Sequence, residues 1–325
     1  MVGAIDIDPT ACSTYRANHP EVRLLEDDLK QVDPRVFQPL TPNGLDLLAV
    51  CAPCQPFSAR NRHRFTRNTG KDLVLSAIPF VAVLRPRMVF FENVPGLGKD
   101  SVFEDLAKEL ATLGYHLAAP RWVDAADLGV PQRRQRIILV GAQKRDVLES
   151  VCDLPKLPRV SVAMAIGDLP LPAPPNDTSY SDPLHVMRAH APITLERLKN
   201  IPPDGGTRHS LPEHLQLRCH KGLKPNQFPD SYGRLRWNEP APTLTTGCHD
   251  LTKGRYAHPE QHRAITLREA ARLQSFPDTY TFSGKRRQIA IQIGNAVPPR
   301  MMEEIGITLR AALAAADGEL VTGVL

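Results

Sequence analysis

The sequence predicts an α/β protein in which a doubly wound, mostly parallel sheet is joined to a smaller, irregular domain. Short, unbroken apolar runs recur through the first 150 residues, and helical patterns lie between them. Such runs are typical of strands buried on both faces. Alternating strands and helices indicate a parallel sheet with helices on its faces.

Each element follows from a local pattern. Four apolar runs are predicted to be buried parallel strands: one that ends within 5–9, then 45–50, 87–91 and 136–141. Helical spacing of apolar residues predicts helices at 72–84, 102–113, 267–273 and 300–314. Gly114 follows the second of these helices and is expected to cap it, because glycine readily adopts the left-handed conformation at a helix end.

Composition narrows the class of protein. Hydrophobic residues make up 42% and charged residues 23% of the 325 positions, which is ordinary for a globular protein. The chain contains no apolar run long enough to span a membrane, and residues 1–6 do not resemble a signal peptide. These patterns predict a cytoplasmic protein without a membrane partner. A net charge of +5 permits a polyanionic partner but does not require one.

Composition changes near residue 150 and again near residue 265. Prolines concentrate after residue 150 and predict a rigid connector. Eight of the eleven histidines follow in a stretch with few long apolar runs. This pattern predicts three segments, at 1–150, 151–265 and 266–325. The middle segment is either a DNA-reading domain, whose loops present basic and polar side chains to base edges, or a structural insertion.

Three groups of reactive side chains lie where predicted strands begin or end. Cys54 lies in Pro53-Cys54-Gln55-Pro56-Phe57-Ser58, and Glu92 is followed by Asn93 and Val94. Gln132 and Arg134 precede the fourth strand, and Arg136 is its first residue. Ligands of doubly wound sheets bind at the carboxyl ends of strands. A thiol, a carboxylate and guanidinium groups at one edge suit the addition of a thiolate to carbon 6 of cytosine, which activates carbon 5 for methylation.

Cys51 and Cys54 also form a Cys-x-x-Cys sequence, which by itself indicates a redox pair or half of a zinc site. No second such pair or paired histidines complete a zinc site in the sequence, so no metal is predicted. The neighbouring carboxylate and arginines favour nucleophilic chemistry over redox chemistry.

Together with two later blocks, these motifs resemble the DNA (cytosine-5) methyltransferase family, in the family's order. The later blocks are Arg268-Glu269-Ala270-Ala271-Arg272-Leu273-Gln274-Ser275-Phe276-Pro277 and Gln292-Ile293-Gly294-Asn295-Ala296-Val297-Pro298. The resemblance is to the bacterial restriction-modification type. It implies a Rossmann-like fold, S-adenosylmethionine as methyl donor and double-stranded DNA as substrate. It makes 1–150 the catalytic and cofactor domain, 151–265 the linker and target-recognition domain, and 266–325 a return to the catalytic domain.

The chemistry and the resemblance together give each catalytic residue a role. Cys54 is the expected nucleophile, and Glu92 neutralises charge at ring nitrogen 3 of the base. Asn93 holds Glu92 or its loop, while Arg134 and Arg136 bind the base carbonyl or a phosphate. The target base must leave the helical stack for this reaction.

The expected cofactor contacts surround the ends of two early strands. Asp6 is placed to bind ribose hydroxyls, as an acidic residue does in dinucleotide folds. Ordinary turn chemistry is the alternative for Asp6 and Asp28. The full set that the resemblance implies is Asp6, Ile7, Asp28, Leu29, Pro53, Asn295 and Val297.

The expected DNA contacts begin with a basic run just after Cys54. Beside a reactive thiol this run favours phosphate contact over a merely solvated loop. The predicted contacts are Arg60, Arg62, Arg64, Gln132, Thr243 and Leu244. A cognate restriction endonuclease is a further expected partner, and the protein is expected to be a monomer.

The family's first strand and glycine-rich turn have no counterpart before Asp6. Three explanations stay open: an internal Met recorded as the start, a degraded gene, or a separate polypeptide that supplies the segment. The chain as written is then expected to bind the methyl donor weakly and to leave neighbouring strand edges uncovered. A sequence-specific DNA-binding remnant is the alternative function, and an RNA cytosine methyltransferase is a third.

Overall fold

The computed structural model describes residues 1–51, 73–96, 101–151, 154–222, 227 and 230–318. The described residues fall into two compact units. The first, called the sheet unit here, comprises Met1–Asp124, Gln135–Lys156 and Met302–Leu325. The second, called the loop unit, comprises Ala125–Arg134 and Leu157–Met301. The functional boundaries predicted at residues 150 and 265 stay a prediction, because compactness alone does not assign a role to a segment.

The sheet unit contains seven described strands in two sheets. The strands are β1 (Gly3–Asp6), β2 (Arg23–Glu26), β3 (Leu47–Val50), β4 (Met88–Asn93), β5 (His116–Leu117), β6 (Arg121–Asp124) and β7 (Gln135–Ala142). In one sheet β1 pairs with β2 in parallel. In the other, β3 and β4 are parallel, while β7 is antiparallel to β4, β5 and β6.

The prediction that residues 136–141 form a parallel strand is wrong. β7 runs antiparallel to β4, with Glu92 opposite Ile138 and Asn93 opposite Ile137. An apolar run reports burial on both faces but not direction, so the sequence pattern could not distinguish the two arrangements. The reversal matters for the site, because the beginning of an antiparallel strand lies at the edge where its parallel neighbours end.

The helices of the sheet unit cover a strongly apolar core. They are α1 (Pro9–Asn18), α2 (Ile78–Leu84), α3 (Ser101–Thr112), α4 (Arg145–Ser150) and the part of α9 (Pro299–Ala316) that follows Met301. Val81 and Leu106, from α2 and α3, pack in one buried cluster with Val89, Phe91 and Leu139 of the sheet. All six residues of β4 are buried, so this strand lies at the centre of its sheet.

The loop unit has five described helices joined by long irregular segments: α5 (Val162–Ile166), α6 (Pro192–Lys199), α7 (Leu267–Leu273), α8 (Arg286–Asn295) and the first turn of α9 (Pro299–Ala316). Thr266 and Glu269 cap α7 reciprocally. Glu269 also pairs with Arg263 at 2.7 Å in a buried position. No helix in the described ranges is long and apolar enough to cross a membrane.

Most predicted elements agree with the observed bounds. The helices expected at 102–113, 267–273 and 300–314 correspond to α3, α7 and α9. Gly114 has a φ of +85°, as its predicted capping role requires. The helix expected at 72–84 is interrupted, because a turn at residues 76–77 precedes α2.

Candidate active site and its assignment to a family

The predicted nucleophile Cys54 lies outside the described residues, as do Pro53, Arg60, Arg62 and Arg64. The structure does describe the end of the strand that precedes them in the sequence. β3 ends at Val50, which lies opposite Phe91 of β4 in a parallel ladder. Cys51 therefore emerges at the same sheet edge as Glu92, three positions before Cys54.

Cys51 is the other thiol of the Cys-x-x-Cys sequence. The residue is exposed overall. The pKa of its thiol is nevertheless raised to about 12, first by desolvation and then by the nearby Glu92 carboxylate. The exposure of Cys51 does not change this result, because the Glu92 carboxylate disfavours a second negative charge on a nearby thiol. Cys51 is therefore a neutral thiol near pH 7.

A buried ion pair joins the second and third motifs. The Nε of Arg136 lies 2.8 Å from Oε1 of Glu92, and the side chains are only 10% and 7% exposed. Asn93 follows Glu92, and its Oδ1 accepts a hydrogen bond from the Val94 nitrogen at 2.9 Å. The antiparallel register brings the first residues of β7 beside the last residues of β4. The structure thus places a carboxylate, an amide and a guanidinium at one strand edge.

Gln132 and Arg134 belong to the loop unit and are buried there. The amide of Gln132 donates to Oε1 of Gln274 and accepts from the Leu244 nitrogen at 2.8 Å. Arg134 donates to the carbonyls of Leu244 and Gly294, each at 3.1 Å. These side chains tie two backbone segments together. Their geometry favours a positioning role over the base contact expected of Arg134.

The burial of Gln132 and Leu244 also bears on the predicted DNA contacts. Both residues have no exposed surface, and the polar atoms of the Gln132 side chain bond within the protein. Thr243 is exposed, but its hydroxyl donates to the Arg133 carbonyl at 2.7 Å. The expectation of direct DNA contact by Gln132 and Leu244 does not fit this arrangement, because neither side chain reaches the surface.

The amide of Gln274 completes the same network and was not assigned a role from sequence. Its Nε2 donates to the carbonyls of Ile293 and Ala296, at 2.9 and 2.7 Å. Gln274 is fully buried. A glutamine just after an apolar helical pattern is a weak signal, since its partners lie far away in the sequence.

The expected cofactor residues divide between the two units. Asp6 ends β1, and its carboxylate accepts from the Asp8 nitrogen at 2.8 Å. Asp28 follows β2 and accepts from the Lys30 nitrogen at 3.0 Å. Because β1 and β2 are parallel, both carboxylates lie near the same edge. In both residues Oδ1 of the carboxylate accepts the hydrogen bond within the turn.

The other cofactor candidates are also accessible to different degrees. Ile7 is 65% exposed, and Leu29 is partly exposed. In the loop unit Asn295 is exposed and Val297 partly exposed. Surface carboxylates beside exposed apolar side chains fit a ligand with both hydroxyls and an aromatic base. No group of His, Cys, Asp or Glu in the described part of the chain could hold a metal ion.

Comparison with known proteins identifies the class. A family model for C-5 cytosine-specific DNA methylases matches residues 1–310. The chain therefore belongs to the C-5 cytosine-specific DNA methylase family and is a DNA (cytosine-5) methyltransferase. The family implies S-adenosylmethionine as methyl donor and DNA as substrate.

Individual relatives agree with this assignment. The chain is 34% identical to the Type II methylase M.HgiDII of Herpetosiphon aurantiacus, over 96% of this chain and 89% of the relative. It is 32% identical to the Type II methyltransferase M.Eco47II of Escherichia coli, over 93% and 71% of the two chains.

Solved structures confirm the predicted fold class. A putative DNA modification methyltransferase encoded within an E. coli prophage superposes with a TM-score of 0.72 at 23% identity, covering 96% of this chain and 92% of the other. The S. pombe Dnmt2 methyltransferase superposes with a TM-score of 0.60 at 17% identity, covering 98% and 92%.

Proposed function

We propose that this chain methylates carbon 5 of cytosine within one short double-stranded DNA sequence, through a covalent adduct between Cys54 and a flipped-out base. The observation that carries the proposal is the buried Glu92–Arg136 pair at the sheet edge where β3 ends, four residues before Cys54 in the sequence. Family membership supports the class of reaction. The pair supports the mechanism, because it contains the carboxyl group proposed to act at ring nitrogen 3 and a guanidinium that holds it.

The reaction begins with addition of the Cys54 thiolate to carbon 6 of the base. Electron density moves toward ring nitrogen 3, where the Glu92 carboxyl shares a proton with the base and limits the charge. Carbon 5 then acts as an enamine-like nucleophile. Bound S-adenosylmethionine would supply the electrophilic methyl group and would leave as S-adenosylhomocysteine. A proton acceptor then removes the proton from carbon 5, and Cys54 leaves as a thiolate.

Arg136 and Asn93 orient Glu92 in this scheme. The guanidinium of Arg136 contacts one carboxyl oxygen of Glu92 and so holds the carboxyl group in place. We assign Arg134, Gln132 and Gln274 to positioning, since they hold the Leu244 and Gly294 segments from within the loop unit. Asp6 and Asp28 would bind hydroxyls of the methyl donor, with Ile7 and Leu29 against its adenine. Asn295 and Val297 are further proposed contacts of the methyl donor.

The loop unit is the proposed reader of the target sequence. It combines many basic and polar side chains with irregular segments, which can follow the groove of a duplex. The Type II names of the relatives extend the proposal to a cognate restriction endonuclease as partner. We further propose that the protein acts as a monomer.

The test is to incubate the chain with labelled S-adenosylmethionine and a random-sequence duplex library, and then to map the modified cytosines. We expect label at cytosine carbon 5 within one short sequence, and none with Cys54→Ala. Sequence-selective binding without label would instead support a DNA-binding remnant. Label on RNA but not on DNA would refute the proposed substrate.

A further inference from the structure

The loop unit contains an arginine-lined cleft outside the residues assigned to catalysis. Its volume is about 220 Å³. The lining residues are Arg133, Arg236, Glu239, Pro240, Pro242 and Arg255. Three arginines and one glutamate therefore line a small space, with two prolines as its apolar residues. Nη1 of Arg255 also donates to the carbonyls of Gly205 and Arg234.

The charges in the cleft are only partly balanced. Nη1 of Arg236 lies 2.9 Å from Oε1 of Glu239, and Nη2 of Arg133 lies 3.7 Å from Oε2 of the same carboxylate. Arg255 pairs with Asp230 at 3.4 Å. Three cations thus face two anions, only one of which lines the cleft, and an additional anion would find an excess of positive charge there.

Two glycines allow arginine stems to lie close to the backbone. A Cβ at Gly205 would lie 2.3 Å from Nε of Arg236, and a Cβ at Gly233 would lie 3.0 Å from Cγ of Arg255. Gly205 also has a φ of +99°, which disfavours any other residue. The local backbone is therefore suited to these two arginine side chains.

Arg133 reaches the cleft from a firmly held segment. Its nitrogen donates to the Ala241 carbonyl at 2.8 Å, and its carbonyl accepts from the Thr243 hydroxyl. Its neighbours Gln132 and Arg134 are both buried. The Arg133 side chain is nevertheless 53% exposed. Because the backbone of Arg133 is already fixed, little conformational entropy is lost when a ligand binds to its accessible guanidinium.

We propose that this cleft binds a backbone phosphate of the DNA substrate and thereby fixes the position of the loop unit on the duplex. The inference rests on the proposed function, since it takes double-stranded DNA as the ligand. Guanidinium forks match phosphate oxygens, and such contacts position a protein without reading sequence. Glu239 holds Arg133 and Arg236 in place before DNA binds and opposes the incoming phosphate.

The experiment measures binding of two duplexes, one with and one without the mapped target sequence, by fluorescence anisotropy over a salt series. Arg133→Gln should weaken binding to both duplexes by a similar factor. The slope of log K against log salt should become shallower by about 0.9, as expected for one lost phosphate contact. Glu239→Gln should tighten binding to both, a result that misfolding would not give.

Arg310→Gln is the matched control, because Arg310 is an exposed arginine on α9 in the sheet unit and the change in net charge is the same. Equal effects of the Arg133 and Arg310 substitutions would overturn the proposal. So would a loss confined to the target duplex with an unchanged salt slope, since Arg133 would then read a base. Methyl transfer by the wild-type chain is scored separately, so failure of the proposed function is distinguishable from failure of the cleft.

Discussion

The Glu92–Arg136 pair shows how two residues far apart in sequence come to form one buried ion pair. Glu92 is the fifth residue of β4 and Arg136 the second of β7. Neither side chain has more than about a tenth of its surface exposed. Two opposite charges stabilise each other most where water is excluded. Removing Arg136 alone would leave a buried carboxylate without this partner, which is costly.

The two thiols of the Cys-x-x-Cys sequence should behave differently. Cys54→Ala is expected to reduce methyl transfer by at least about a thousandfold, because Cys54 is the proposed nucleophile and its loss leaves no thiolate to form the adduct. Cys51→Ala should retain most of the turnover, because the raised pKa of the Cys51 thiol keeps it neutral. Label incorporation and the mass of the protein–DNA adduct measure both. Loss of the adduct with Cys51→Ala but not with Cys54→Ala would reverse the assignment.

At the scale of elements, α8 approaches the backbone of the Thr245–Thr246 segment very closely. A Cβ at Gly294 would lie 2.3 Å from the Thr245 carbonyl carbon. The Arg134 guanidinium bridges the two segments by binding the carbonyls of Gly294 and Leu244. A helix residue without a side chain is thus required for this contact.

Gly294→Ala should therefore lower the free energy of unfolding by roughly 1–3 kcal/mol, the usual cost of overpacking. Gly306→Ala is the control, because Gly306 is also helical and has no heavy atom within 4 Å of a built Cβ. That change should be neutral or stabilising by up to about 1 kcal/mol. Urea denaturation compares the two. Equal stability of both variants would show that the backbone relaxes freely at Gly294.

His258 lies in the segment that connects to α7 and is buried. Its Nδ1 accepts from the nitrogens of Glu260 and Gln261, at 3.2 and 3.0 Å, so the bonded form of the ring is neutral. Burial, followed by the charge of Arg263, lowers the pKa of His258 from 6.5 to about 4. Between these two values the unfolded chain binds a proton that the folded chain does not.

The folded state should consequently lose stability as the pH falls from about 6.5 to about 4, by up to about 3 kcal/mol from this residue. Denaturation of the wild type and of His258→Gln, followed across that range, isolates the contribution from those of other histidines. We expect the variant to show a shallower dependence on pH. Parallel curves would exclude His258 as a source of acid sensitivity.

At the scale of the whole molecule, the sheet unit is discontinuous in sequence. It begins at Met1 and is completed by the part of α9 that follows Met301. Leu309 on that helix is 2% exposed, whereas Ile307 is 49% exposed. Arg87, just before β4, pairs with Asp317 beyond α9 at 2.6 Å. The stability of the unit therefore depends on a segment near residue 310.

Leu309→Ala should lower the free energy of unfolding by about 2–5 kcal/mol, since it removes a buried side chain and leaves a cavity. Ile307→Ala should change it by no more than about 0.5 kcal/mol. Thermal or urea unfolding followed by circular dichroism measures the difference. Comparable losses in both variants would contradict the packing of this helix.

Much of the fold was predictable because its signals are local. Apolar runs identified β4 and β7, and helical spacing identified α3, α7 and α9. Short strands such as β2 and β5 were not predicted, because each contains at most two consecutive apolar residues and so shows no apolar run. The antiparallel direction of β7 was also not predicted, because direction depends on which strand β7 pairs with.

The sequence by itself determined the family, the α/β class and the identity of the groups proposed for catalysis, because side-chain chemistry and its order along the chain are written in it. Only the tertiary structure decided which of those groups meet. Gln132, Arg134 and Arg136 lie within five residues of the sequence. The structure nevertheless pairs Arg136 with Glu92 and buries Arg134 and Gln132 in hydrogen bonds within the loop unit. It also brings Arg133 to Arg236 and Arg255, about a hundred residues away in the chain. Such contacts arise from long-range packing, whose partners no local pattern specifies.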